Sequence, residues 1–430
     1  MSGTSMYPRQ RLKFAATIND EALGEDVAPD FEIQYIDIGN VDSSGTIHEI
    51  ATYRFEAAPS RARRIVRDGD VIISTVRTYL QAIAPIASPS DNLIVSTGFA
   101  VIRPRTGALD AKFCRYVLRE PTFLAEVEMR STGISYPAIN ASEIGDIAIP
   151  YPPLPEQGVI ADFIEAESNH IDALIAAKQR LLELLAEKRR AIVAEAVMRG
   201  LNPAAPLRPS GIDWLGDIPA HWEALDLKWV IASISSGVSV NATDQPVIGN
   251  EPGVLKTSAA IGGRFLPAEN KAVWETEYER LACPVKAESI IVSRMNTPAL
   301  VAESGYVETD YPNLFLPDRL WQVELNKNRA VPKFIAQVLS SHIVRSSLSE
   351  MATGTSASMK NLSQEDLLNF PVPLPPLAEQ HEIVLHIAAE TAKIDRLRAA
   401  TEHSITLLKE RRGALIAAAV TGQIDIPEAA

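Results

Sequence analysis

A chain of 430 residues is too long for one ordinary core, so two or more domains are expected. Its net charge of −13 excludes a protein that coats nucleic acid by bulk attraction, though not one that reads it through a local face. Two cysteines, Cys114 and Cys283, supply neither a disulfide framework nor a CxxC metal pair, which fits a reducing cytoplasm, and no run approaches the ~20 apolar residues of a membrane span.

Residues 1–151 read as a first mixed α/β unit, with strand-like runs at 33–38, 70–75 and 99–102 and a helix over 111–119. Arg61, Arg63, Arg64 and Arg67 place four guanidiniums in seven residues, a chemistry suited to phosphate and to guanine. A solvated charged face neutralised by nearby acids has the same composition. Arg77 and Tyr79 follow the 70–75 strand with donors and an aromatic ring. Ser135 and Tyr136 stand in a polar, glycine-containing loop. The unit is not basic: residues 1–150 hold 15 basic and 19 acidic side chains.

Residues 152–200 read as a long helix that starts after a proline-rich run and stops at Gly200. A proline-rich linker opens a second unit over 201–374, with strands at 289–293 and 320–325 and a helix over 332–340. Here Arg294, Asn296 and Thr297 occupy the place of Arg77 and Tyr79. Arg and Asn can read guanine and adenine edges, and Asn can equally cap a turn. Ser356 and Lys360 lie in a polar loop, 353–360, that matches the one holding Tyr136. Residues 375–430 close the chain with a second long helix.

The order unit, helix, unit, helix is an internal repeat. Pro150–Val197 against Pro373–Val420, at an offset of 223, gives 23 identities in 48 gapless pairs. Unrelated segments would match at roughly one position in fifteen. Within the helices one apolar column recurs every seven residues: Ile164, Ile171, Lys178, Leu185, Ile192, and in the copy Ile387, Ile394, Thr401, Leu408, Leu415. A second column holds Ile160, Leu174 and Leu181, with Ile383 and Leu397 in the copy and Ser404 opposite Leu181. Such a seam predicts a coiled coil, and two homologous helices meeting across a two-fold axis run antiparallel. The fold class expected is therefore α+β: two mixed α/β domains separated by two long antiparallel coiled-coil helices, with an internal pseudo-two-fold repeat.

No phosphate loop, GxGxxG turn or HxxxH metal spacing is present. Asp318, Glu324 and Lys327 suggest a nuclease set faintly, but on a strand the ExxK spacing points Glu and Lys to opposite sides. The residues thus favour a binding protein over an enzyme. A duplicated coiled-coil adaptor that meets no DNA remains an alternative.

The PPLxEQxxI onset at 152–160 and 375–383 resembles the repeat regions of type I restriction–modification specificity subunits. The entry at 209–223, with Trp214 and Trp222, and the run 293–297 are similar to that family's target-recognition domains; the first unit lacks the Trp-rich entry. The resemblance implies a non-catalytic, cytoplasmic subunit. Its two target-recognition domains would each read half of a bipartite, asymmetric site on double-stranded DNA. The helices would set the gap and dock two methyltransferase subunits, and motor-nuclease subunits would join them. No cofactor is expected on this chain; S-adenosylmethionine and ATP with magnesium would sit on the partners.

Overall fold

Val71–Ser74 and Ile290–Ser293 are buried at every position, which a strand tolerates only when both its faces are covered. Each lies inside the main sheet of its own unit. The computed structural model describes residues 6–133, 135–356 and 358–426, and these cluster into two units. The first takes residues up to Lys178 and from Glu402 onward, and the second Gln179–Thr401. Each unit thus holds one mixed α/β domain and one half of each long helix.

The four strands of the first domain's main sheet recur in the second. In the first, Ala16–Ile18, Phe99–Pro104, Val71–Ser74 and Ile83–Pro85 form an antiparallel sheet in that order. In the second the order is Ile231–Ser236, Leu320–Leu325, Ile290–Ser293 and Ser304–Tyr306, extended by two short strands. A second, four-stranded sheet in each unit contains a parallel pair, Glu32–Ile36 with Leu93–Ser96 in the first and Gly253–Leu255 with Tyr311–Phe315 in the second. Helices Ala111–Val117 and Pro121–Arg130 cover the main sheet of the first domain, as Pro332–Ser340 and His342–Met351 do in the second.

The long helices are α1, Leu154–Arg199, and α2, Leu377–Thr421. In the first unit Ile160, Ala161 and Ile164 share a core with Ala419 and Val420, while further along Asp172 pairs with Arg412. In the second, Val193 and Val197 share a core with Ile383 and Ile387, and Arg189 faces Asp395 at 3.7 Å. In both units rising numbers on one helix meet falling numbers on the other, so the segments are antiparallel. The first expected column is largely buried: Ile164, Ile171, Leu185, Ile387, Ile394 and Thr401 all are. The second is buried only at its start: Ile160 and Ile383 are buried, but Leu174, Leu181 and Leu397 are exposed, and Ile175 and Ile405, four residues beyond the first column rather than three, are buried instead. Polar Thr401 is accommodated because its hydroxyl donates to Leu397 O at 2.7 Å.

The PPLxEQ motif acts as a clamp between helix and domain. Gln157 and Gln380 are both fully buried. Gln157 Oε1 accepts from Asp110 N at 2.8 Å, and its Nε2 donates to Pro152 O at 3.0 Å and Ala108 O at 3.3 Å. Gln380 repeats this with Val331 N at 2.7 Å, Pro375 O at 2.8 Å and Arg329 O at 3.2 Å. An amide is the side chain that can accept and donate at once in this place.

A second shared device ties the end of one helix to the start of the other. Gly200 ends α1 at φ +74°, and a Cβ there would lie 3.1 Å from the Trp222 ring. Trp222 Nε1 and His221 Nε2 contact Glu379 in the first turn of α2, at 3.1 and 2.8 Å. In the first unit Gly422 at φ +77° meets Tyr7, whose hydroxyl bonds to Glu156 in the first turn of α1. Tyr7 therefore takes the place of Trp222, so the entry lacking tryptophan has kept the joint with a different ring.

Candidate nucleic-acid interface

In each unit the strand at the heart of the main sheet runs out into a turn, and a segment from before the proline-rich run clasps that turn. Ile139 N donates to Thr75 O at 2.9 Å, and Leu362 N donates to Arg294 O at 2.8 Å. Val76 bridges Ala138, while Met295–Asn296 pairs with Lys360–Asn361. The two sequence segments suspected in each unit, far apart in the chain, are thereby brought together.

In the first unit Arg77 and Gln81 flank a single 3-10 turn, both left-handed at φ +52° and +50°. Such a backbone costs on the order of 1 kcal/mol at each non-glycine residue, strain that concentrates at functional turns. It leaves the Arg77 guanidinium over the Tyr136 ring at 5.0 Å. Thr78 and Ser131 hydroxyls join at 2.8 Å beneath. Tyr79 is 55% exposed and Tyr136 65% exposed, and Ser135 is exposed beside them. An accessible cation stacked on an accessible ring, with a second ring and a hydroxyl nearby, can meet phosphate, base edge and base face.

The second unit presents different chemistry at the same place. Residues 353–356 and 359–361 form a hairpin rather than the expected loop. Lys360 does not reach outward: its Nζ donates to Ser349 O at 2.6 Å, at the end of the adjacent helix. Asn296 serves the turn, donating to Ser293 Oγ at 3.2 Å and accepting from Thr297 N at 2.9 Å, the capping role that its sequence allowed. Arg294 is half-buried over Trp321 at 5.8 Å. Thr297 is exposed, and Ser356 pairs through its backbone with Met359.

Arg63 and Arg64 lie in strand Ala62–Ile65 of the second sheet, with Arg61 and Arg67 on either side of it, and no two of the four share a setting. Arg61 is exposed, and Arg63 stacks over Phe55 at 4.7 Å. Arg64 is half-buried. Arg67 makes a bidentate pair with Glu21 at 2.8 and 2.6 Å. Arg103 joins Glu21 to buried Asp70, and the Arg67 hydrogen bonds lead in holding the Glu21 carboxyl down to about 2. In the second domain, neutral Ser289 and Gln322 occupy the matching region. Because the folded value of Glu21 lies below its ordinary 4.5, its contribution to stability is complete above about pH 4.5 and fades as pH falls toward 2. Thermal unfolding of Glu21→Gln against pH should therefore converge on wild type at the acid end and fall below it at neutral pH.

Among the described residues no cluster of His, Cys, Asp and Glu could hold a metal ion, and no helix is long and apolar enough to cross a membrane. Glu324 pairs with Lys286 at 2.9 Å and Lys327 with Glu288, so the two are not joined in one constellation with Asp318.

A family model for the type I restriction modification DNA specificity domain matches residues 32–184 and again 263–398. The chain is 23% identical over 328 residues to the type I restriction enzyme EcoKI specificity subunit of Escherichia coli (strain K12), spanning 75% of this chain and 68% of that one. It is 25% identical over 219 residues to the EcoEI specificity subunit of Escherichia coli, spanning 51% of this chain and 36% of that one. A solved structure from work on complex assembly and conformational transition of the type I R-M system shares the fold with a TM-score of 0.75, at 22% identity over 98% of this chain and 100% of that one. The HsdS subunit from Thermoanaerobacter tengcongensis gives 0.55 at 24% identity, over 97% of each chain. With the model matched once in each half and over most of its length, the chain belongs to the type I restriction–modification DNA specificity family.

Proposed function

We propose that this chain is the non-catalytic address of a type I restriction–modification complex, reading a bipartite, asymmetric site on double-stranded DNA. Each mixed α/β domain reads one half through its clasped turn. One observation carries the reading: the two turns leave matching core strands and are clasped by the same backbone hydrogen bond, yet they carry different side chains. Beyond the clasped residue, Thr75 in one unit and Arg294 in the other, the first turn carries Arg77 and Tyr79 and the second Asn296 and Thr297, while Tyr136 on the clasping segment is matched by the hairpin at 353–361. Different half-sites require that divergence, whereas a shared scaffold lets both domains approach the duplex equivalently.

The helices carry the second part of the proposal. Leu174 and Leu397 are 40% and 57% exposed, and Leu184 and Leu407 are 47% and 49%. These leucines are identical at the 223 offset and lie outside the buried seam. An exposed apolar stripe kept in both copies suits helices of one partner species bound twice. Two methyltransferase subunits, carrying S-adenosylmethionine, are that partner, and motor-nuclease subunits with ATP and magnesium complete the assembly.

Replacing residues 1–151 by the matching domain of another family member tests the reading. Adenine methylation by the co-expressed complex should keep one half-site and change the other. Both halves changing together, or neither changing, would refute it.

A further inference from the structure

Each unit has a groove between its domain and its pair of helix segments. In the first unit the groove is about 590 Å³, and it is about 690 Å³ in the second. The floors correspond under the 223 offset: Asp172 with Arg412 in one, Asp395 with Arg189 in the other. Both grooves are cationic in a chain of net charge −13. Arg115, Arg119, Lys409 and Arg412 line the first against Glu165 and Asp172. Arg189, Arg190, Arg264, Lys333 and Arg345 line the second against three carboxylates.

These cations are not all neutralised. Arg119 donates to the carbonyls of Ser44 and Ile83, and among the described residues no carboxylate lies within ion-pair distance of it. Its burial lowers its pKa, the mark of a cation short of compensation. No carboxylate pairs with Lys409 or Arg190 among the described residues either.

We propose that both grooves receive the same acidic peptide segment, one from each of two copies of the partner docked on the helices. This rests on the docking proposed above. A peptide fits better than nucleic acid for two reasons. A duplex is too broad for cavities of this volume. A single strand carries a charge at every phosphate, which the interleaved Glu165, Asp172, Glu303 and Asp395 would repel. A peptide brings scattered carboxylates for the cations that no acid of this chain pairs.

The test uses the full chain co-produced with its methyltransferase subunit. A photo-reactive benzoylphenylalanine replaces Tyr116 in the first groove or Gln337 in the second, which are matching positions. Mass spectrometry of the cross-linked complex should find the same acidic segment of the methyltransferase subunit from both positions. Lys409→Glu and Arg190→Glu should each lower cross-linking in their own groove on the order of tenfold, and reversing the charge of the segment should restore it. Cross-links that land on nucleic acid, or on different segments from the two grooves, would overturn the proposal. So would their absence from a complex that still contains two methyltransferase copies. A complex lacking those copies would overturn the docking itself.

Discussion

Gln157→Leu should destabilise the first unit by about 2 kcal/mol, and Gln380→Leu should cost the second unit at least as much. Leucine fills the site and gains about 2 kcal/mol of apolar burial. Against that, the Asp110 N–H and the Pro152 carbonyl lose their glutamine partner, at about 1–3 kcal/mol for each buried group left unmet. The Ala108 carbonyl loses only a 3.3 Å contact, because the Tyr151 hydroxyl still donates to it at 2.7 Å. The second unit is more exposed to the loss. Helix Ala111–Val117 has the Asp110 carboxylate as its own cap, whereas helix Pro332–Ser340 begins at Val331, whose side chain cannot cap. Among the described residues, Gln380 is the side chain that meets the Val331 N–H. Denaturant unfolding gives the size of the effect, and hydrogen exchange at the Asp110 and Val331 amides localises it. Protection unchanged at both amides would show that the clamp is not what holds domain to helix.

Trp222→Ala should cost about 3–5 kcal/mol, the range for truncating a buried large aromatic. The ring is almost fully buried among the core residues of the second unit, and its Nε1 satisfies Glu379. Trp222→Phe separates the two contributions: most of the burial survives and only the hydrogen bond goes, for a loss of about 1 kcal/mol. Tyr7 holds the equivalent joint while only half-buried, so Tyr7→Ala should cost less than Trp222→Ala. Denaturant titration of the three variants checks the order, and a Tyr7→Ala loss equal to that of Trp222→Ala would contradict the burial argument.

The helices were legible because two features coincide in them, a seven-residue period and a second copy. The period alone located one buried column and misplaced the other. Leu174 and Leu181 follow Ile160 at multiples of seven, yet the packed line continues through Ile175. A spacing of three and a spacing of four from the first column are both apolar here, and only the partner helix decides between them. The exposed line is itself apolar because, on the reading proposed, something else covers it.

The candidate interface was legible in its segments and not in its contacts. The turn after each core strand and the segment before each proline-rich run were both visible, but their clasp joins residues about 60 apart and has no local signal. The hairpin at 353–361 is rich in Thr, Gly and Ser, and it pairs because Met295–Asn296 offers it an edge. Arg67 looked available because Glu21, 46 residues earlier, cannot be assigned to it from the sequence. Lys360 was withdrawn by a carbonyl at the end of a neighbouring helix in the same way. The joint at Tyr7 has no repeat signal, because tyrosine does there what tryptophan does in the second copy.

The central claim is that two readers share one DNA site and that the helices set the distance between its halves. Inserting four helical residues after Lys178 and four after Thr401, the matching positions, lengthens both helices by ~6 Å. That is close to two base pairs at ~3.4 Å each. Methylated adenines should then be mapped genome-wide in cells that carry the methyltransferase subunit with either chain. The account predicts two unchanged half-sites separated by a gap about two base pairs wider. The original gap persisting in an active complex would contradict it.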